Sequence, residues 1–121
     1  MIETLQTLLQ SNTNVQFGYL FGSYAKEGAH EQSDIDIAVY LSDTTLDKQL
    51  ELIQTLQKAV DKKIDIVVLN DVKNLYLLES ILREGMLLKN SPERPMFEVE
   101  SNLAILDFKA FRRYIEAYMV A

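Results

Sequence analysis

Cysteine is absent from this chain of 121 residues, which excludes a disulfide framework and any thiolate metal or nucleophile site. Histidine occurs once, at His30, so a multi-histidine zinc centre and the HExxH pattern are excluded as well. Proline occurs twice, and both Pro92 and Pro95 fall in Asn90-Ser91-Pro92-Glu93-Arg94-Pro95, the single linker-like stretch. Positive charge is scarce: 12 Lys and Arg face 18 Asp and Glu, leaving −6. That balance counts against a scaffold that grips a nucleic-acid backbone through cations, so no direct nucleic-acid binding is expected. Long apolar runs are also missing, and the N-terminal MIETLQTLLQSN lacks the basic start and apolar stretch of a secretory leader. The expectation is a soluble, cytoplasmic single domain with no membrane contact. Its chemistry must come from carboxylates, hydroxyls and a few basic residues.

What is present alternates between helix and strand patterns. Ile2, Leu5 and Leu8 or Leu9 stand at helical spacing before the polar break Ser11-Asn12-Thr13-Asn14. Val15 to Phe21 reads as a strand, and Ile35 to Leu41 as a second one. In the second strand Ile35, Ile37 and Val39 share one face, with Asp34, Asp36 and Ala38 on the other. Thr44 or Thr45 can cap a helix whose stripe is Leu46, Leu50, Ile53, Leu56 and Val60, ending at Lys62-Lys63. Ile64 to Leu69 reads as a third strand. Asp71 or Asn74 can cap a helix carrying Leu75, Leu78, Ile81 and Leu82, which stops at Gly85, a residue suited to a left-handed helix end. Met86 to Lys89 suits a short fourth strand. Phe97 to Met119 is a long helical candidate with two apolar stripes, Val99, Leu103, Leu106, Ala110 and Phe108, Phe111, Ile115, Tyr118. Two stripes exceed what docking on one domain needs, which points to contact with another chain or to a helix that wraps its own core more widely. The expected architecture is α/β (α+β): a small mixed sheet of three to four strands flanked by helices. Residues 1–91 form the core, and 92–121 a C-terminal helical extension that binds a partner.

The chemistry concentrates in Gly22-Ser23, ten residues, then Asp34-Ile35-Asp36. Side chains at i and i+2 of a strand project together, so Asp34 and Asp36 sit side by side. Two carboxylates that close repel, and one takes up a proton unless a cation holds both ionised. Such a pair suits Mg²⁺ or Mn²⁺, which keep waters and accept substrate phosphates as further ligands. Gly22 and Ser23 end a strand and open a short helical turn, where backbone N–H groups and a hydroxyl can meet an anion. Asp65 is an isolated charge in the apolar run Ile64 to Leu69, and it joins the pair if the two strands are neighbours. Three carboxylates can hold two divalent ions.

The segment GSYAKEGAHEQSDIDIAVY (Gly22 to Tyr40), with KKIDIVVL (Lys62 to Leu69), resembles the polymerase-beta-like nucleotidyltransferases and their GS-x10-D-x-D signature. The small size and the ending ILREGMLLKN…LDFKAFRRYIEAY are similar to the minimal nucleotidyltransferases of prokaryotic HEPN/MNT modules, the MntA-type antitoxins paired with HepT toxins. The resemblance implies that Gly22 and Ser23 hold the triphosphate of ATP. It implies that Asp34, Asp36 and Asp65 ligate Mg²⁺ or Mn²⁺, two ions in all, with Asp65 also helping to deprotonate the acceptor hydroxyl. It further implies AMP transfer to a tyrosine of a partner HEPN ribonuclease toxin, which blocks it. Where the family commonly has Ala-Arg-Gly, this chain reads Ala25-Lys26-Glu27-Gly28, so Lys26 offers phosphate a point charge in place of a planar fork.

Two rival functions remain at this stage: transfer to a small hydroxyl compound, and an antitoxin that acts by binding and occlusion alone. His30, Arg83 and Lys89 are minor candidates for nucleotide contact, and Arg112-Arg113 for pairing with an acidic partner.

Overall fold

The computed structural model describes residues 1–26 and 33–119. Glu27, Gly28 and His30 therefore lie outside the described residues. The chain runs α1 (Ile2–Ser11), β1 (Val15–Phe21), a 3-10 turn (Gly22–Ala25), β2 (Ile35–Leu41) and α2 (Leu46–Val60). It continues through β3 (Ile64–Val68), a second 3-10 turn (Leu69–Asp71), α3 (Leu75–Glu84), β4 (Met86–Lys89) and α4 (Arg94–Tyr118). The strands form one mixed sheet in the order β3-β2-β1-β4, parallel only between β2 and β3. A parallel pair needs a crossover, and α2 supplies it.

Strand alternation gives the sheet two apolar faces. Ile35, Ile37, Val39 and Leu41 of β2 pack with Leu20 and Ile64 beneath Leu5 and Leu9 of α1 and Leu52 and Leu56 of α2. Phe17, Tyr19 and Ala38 face the other way, against Leu78 and Ile81 of α3 and Ile105 of α4. The alternation predicted for β2 is the one observed.

The helices correct three expectations. In α2 the buried residues are Leu52 and Leu56, while Leu46 and Leu50 are exposed, so the buried stripe is rotated from the one the spacing suggested. Thr45 occupies the cap position of α2 without a side-chain bond, and its N–H donates instead to Asp43 Oδ1 at 2.9 Å. Asn74 does cap α3, accepting from the N–H groups of Tyr76 and Leu77. Gly85 ends α3 at φ −69°, not in the left-handed region. It is needed for space: an added Cβ would overlap the Ile81 carbonyl oxygen and lie 3.3 Å from Tyr19 Cβ. The left-handed helix end belongs to Asp61 after α2, at φ 52°.

Helix α4 starts at Arg94, earlier than expected, with Pro95 in its first turn where a missing N–H costs nothing. Of the two anticipated stripes, Val99, Leu103, Leu106 and Ala110 stay exposed, while the other docks in part, with the half-buried Phe108 ring 5.4 Å from Tyr76 of α3. Ser101 and Ile105 are its buried residues, and Phe97 packs at 5.3 Å from the Phe17 ring and 5.5 Å from Tyr40. The Tyr19 hydroxyl donates to Glu98 Oε1 at 2.6 Å, and Arg94 Nη1 donates to the same oxygen at 2.9 Å. Burial, with Glu98 beside it, pushes the Tyr19 hydroxyl pKa well up, so it stays a donor at any working pH.

Ile37→Ala, at a fully buried position of β2, is expected to cost about 2–5 kcal/mol in urea denaturation, the usual range for emptying a packed site. Leu103→Ala, on the outer side of α4, should stay within about 0.5 kcal/mol of wild type.

Candidate active site

The β2–β3 register pairs Asp36 with Asp65 and Ile35 with Ile64. Across β1 the same Asp36 pairs with Phe21, the residue before Gly22. One end of the sheet therefore gathers Asp34, just ahead of β2, Asp36 from β2, Asp65 from β3, and the Gly22–Ala25 turn that leaves β1. The neighbouring strands that the sequence argument required are present.

Gly22 has φ +72°, a backbone conformation that L side chains rarely adopt. An added Cβ would overlap Asp36 Oδ2 and lie 3.1 Å from its Cγ. The Asp36 carboxylate thus lies directly against the backbone of the turn, in a space that only glycine leaves open. Burial raises the Asp36 pKa, and the charges of Asp65 and Asp34 raise it further. The carboxylates repel one another, as the spacing required.

Lysines answer part of that charge. Lys63 Nζ lies 3.7 Å from Asp34 Oδ2 and 4.0 Å from Asp65 Oδ1, a single cation between ligands on two strands. Lys62 Nζ lies 5.8 Å from the centroid of the Tyr24 ring, in the turn after Ser23. Sequence reasoning treated Lys62-Lys63 as a helix ending only. The signal that could have revealed their role is the two-residue offset between Lys63 and Asp65 at a strand entrance. Lys26, expected at the triphosphate, is ion-paired with Glu84 at the end of α3, and that contact lowers the Glu84 pKa.

Among the described residues no three acidic side chains already converge on one point at metal-binding distance. The donor set nonetheless fits a hard divalent cation: all oxygen, mutually repelling, and with an ammonium already spanning two of its members. Other candidates lie elsewhere. Lys89 Nζ donates to the carbonyls of Gln10 at 3.5 Å and Asn12 at 3.0 Å, tying β4 to the end of α1. Arg83 pairs with Glu84 at 3.6 Å, and Arg112 contacts the Tyr76 hydroxyl and Glu116. A groove of about 670 Å³ runs past Ile66–Val68 to Asn74, but none of the three aspartates lines it.

Two outcomes follow from the crowding. Asp36 binds its proton more readily in the folded than the unfolded chain, so falling pH favours the native state from the raised value down to about pH 4. Asp36→Asn should therefore raise the melting temperature at pH 7.5 without divalent ions, and that gain should shrink towards pH 4. Gly22→Ala should lower stability by about 1–3 kcal/mol in urea denaturation, the range for a strained backbone position.

Known proteins match this chain in sequence and in fold. Residues 3–94 match the family described as Polymerase beta, Nucleotidyltransferase. Protein adenylyltransferase MntA of Shewanella oneidensis is 35% identical over 97 residues, covering 78% of this chain and 69% of that protein. The fold matches a toxin–antitoxin crystal structure with AMP-PNP at TM-score 0.79 and 31% identity, over 99% of this chain and 98% of that one. It also matches a structure of tri-AMPylated Shewanella oneidensis HEPN toxin in complex with MNT antitoxin, at TM-score 0.72 and 26% identity over 100% of both chains. The matched segment takes in the Gly22 turn and all three aspartates, and with it the chain belongs to the polymerase-beta nucleotidyltransferase family.

Proposed function

We propose that this protein is the antitoxin of a prokaryotic, cytoplasmic toxin–antitoxin pair, and that it transfers AMP from ATP to a tyrosine hydroxyl of a HEPN ribonuclease toxin. The observation that carries this reading is the Asp36–Asp65 pairing beside the Gly22 turn. The likeness to the MntA adenylyltransferase and to the AMPylated toxin complex supports the acceptor class.

In the reaction the acceptor oxygen forms a bond to the α-phosphorus of ATP in line with the bond to pyrophosphate, which breaks. Gly22 lets phosphate approach the backbone, the Ser23 hydroxyl offers it a hydrogen bond, and Lys26 turns from Glu84 towards it. Asp65, half exposed at the entrance of β3, accepts the proton of the attacking hydroxyl. Asp34, Asp36 and Asp65 would hold Mg²⁺ or Mn²⁺, two ions, which neutralise charge and polarise the phosphorus. Much of the catalysis is positioning.

The acceptor has to be presented by another chain, and α4 offers a surface for it. Met96, Val99, Leu103 and Leu106 recur at steps of 3, 4 and 3 and are 55–63% exposed. We assign residues 92–121 to partner binding and 1–91 to nucleotide chemistry. That exposed row also favours a second contribution, in which binding itself occludes the toxin.

With labelled ATP and the cognate toxin, the Asp34→Ala/Asp36→Ala variant should lose AMP transfer by about two to four orders of magnitude, since cation-assisted charge stabilisation amounts to several kcal/mol. Transfer at wild-type rate refutes the enzymatic reading. Full neutralisation of the toxin by that variant at equal expression assigns the effect to occlusion. Leu103→Asp/Leu106→Asp should abolish the complex in size-exclusion chromatography with the melting temperature unchanged.

A further inference from the structure

The turn between α2 and β3 is held unusually firmly for an exposed loop. The Asp61 N–H donates to the Gln57 carbonyl at 2.8 Å, and the Ile64 N–H donates to Gln57 Oε1 at 3.1 Å. From the other side, the Ile35 N–H donates to the Lys63 carbonyl at 3.0 Å, which extends the parallel ladder by one bond. The Lys63 backbone is thereby fixed one residue ahead of β3 and alongside Asp34. Its side chain is 67% exposed, and it carries the ammonium between Asp34 and Asp65.

We infer that Lys63 is the built-in counter-ion of the carboxylate site, holding the place between Asp34 and Asp65 that a divalent cation takes, and leaving when the cation arrives. The inference rests on the reading of these carboxylates as the cation site. Three features carry it. The ammonium lies between a carboxylate just ahead of β2 and one in β3, the two strands of the parallel pair. Both contacts are near the 4 Å limit and solvent-exposed, which makes them weak enough for a divalent ion to replace. The four-carbon stem is flexible, so the ammonium can withdraw while the anchored backbone stays in place. Lys63 is accordingly a positioning residue. It offsets the charge of Asp34 and Asp65 and deters adventitious cations in the absence of substrate.

The test is Mn²⁺ binding without nucleotide, read from the electron paramagnetic resonance of free Mn²⁺ at pH 7.5. Lys63→Met should bind Mn²⁺ about fivefold more tightly than wild type, the scale of an exposed ion pair. Lys63→Arg, which keeps the charge, should stay within about twofold of wild type. Lys58→Met removes the same charge from an exposed position on α2 and should also stay within about twofold. Equal Mn²⁺ affinity in wild type and Lys63→Met overturns the role of Lys63 and leaves the carboxylate site standing. An equal gain in Lys58→Met overturns it too, by reducing the effect to net charge. Failure of every variant to bind Mn²⁺ removes the carboxylate site itself, and the inference with it.

Discussion

The parallel pairing of β2 with β3 forces Asp36 and Asp65 to face each other one strand spacing apart, and the rest of the catalytic end accommodates that closeness. Neighbouring strands lie about 4.8 Å apart, and at that range two carboxylates repel each other. Burial raises the Asp36 pKa, and the charges of Asp65 and Asp34 add to the rise. Its third neighbour is backbone: the Gly22 turn closes over the same carboxylate and leaves no room for a Cβ. A phosphate approaching that turn therefore meets Asp36 directly. Phosphate and carboxylate repel, so the arrangement is productive only with a cation between them.

Two cations of the chain are already engaged near this end, and each has an acidic partner. Lys26 is drawn to Glu84 on α3, and Lys63 spans Asp34 and Asp65. In the proposed function, nucleotide binding consists largely of exchanging partners, which costs little because the groups are exposed and screened. The opposite holds for α4. Its attachment runs through the buried Phe17 ring, on which the half-buried rings of Tyr40 and Phe97 pack, and through the Tyr19–Glu98–Arg94 hydrogen bonds. The helix is fixed firmly along one line and leaves the Leu103 and Leu106 side to solvent. Labile ion pairs at one end and a rigid, half-covered helix on one face suit a protein whose ligands change while its partner surface does not.

The sheet and the aspartates were legible because both are expressed in a period of two. Alternation in Ile35–Leu41 determines which side Asp36 occupies, and a lone charge in Ile64–Val68 must point the same way if the strands are in register. Helix faces were less legible. In α2, Leu46, Leu50, Leu52 and Leu56 are all leucine, and periodicity alone does not choose between two overlapping stripes; in the fold Leu52 and Leu56 are covered while Leu46 and Leu50 stay exposed. In α4 the docking line contains Ser101, a polar residue buried by close approach, which no hydrophobic pattern marks. Lys63 was illegible for a different reason. A lysine at the end of a helix is ordinarily solvated, and only the three-dimensional proximity of Asp34, 29 residues earlier, gives it work.

The charge balance connects these observations. With −6 overall, the chain repels free nucleotide at long range, and Lys26, Lys62 and Lys63 together cannot offset three aspartates and a triphosphate. Nucleotide accompanied by divalent ions is a different ligand, because its own charge is largely neutralised before it arrives. Lys63 sharpens that distinction by occupying the cation place until such a complex is at hand. The same negative field discourages RNA, which matters for a protein proposed to work beside a ribonuclease: it can approach the nuclease without competing for, or being sequestered by, the nuclease's substrate. Acidity, which first counted only as a missing nucleic-acid surface, thus acts as a filter on both ligands of the site, favouring a metal-loaded nucleotide and a protein acceptor over polyanions.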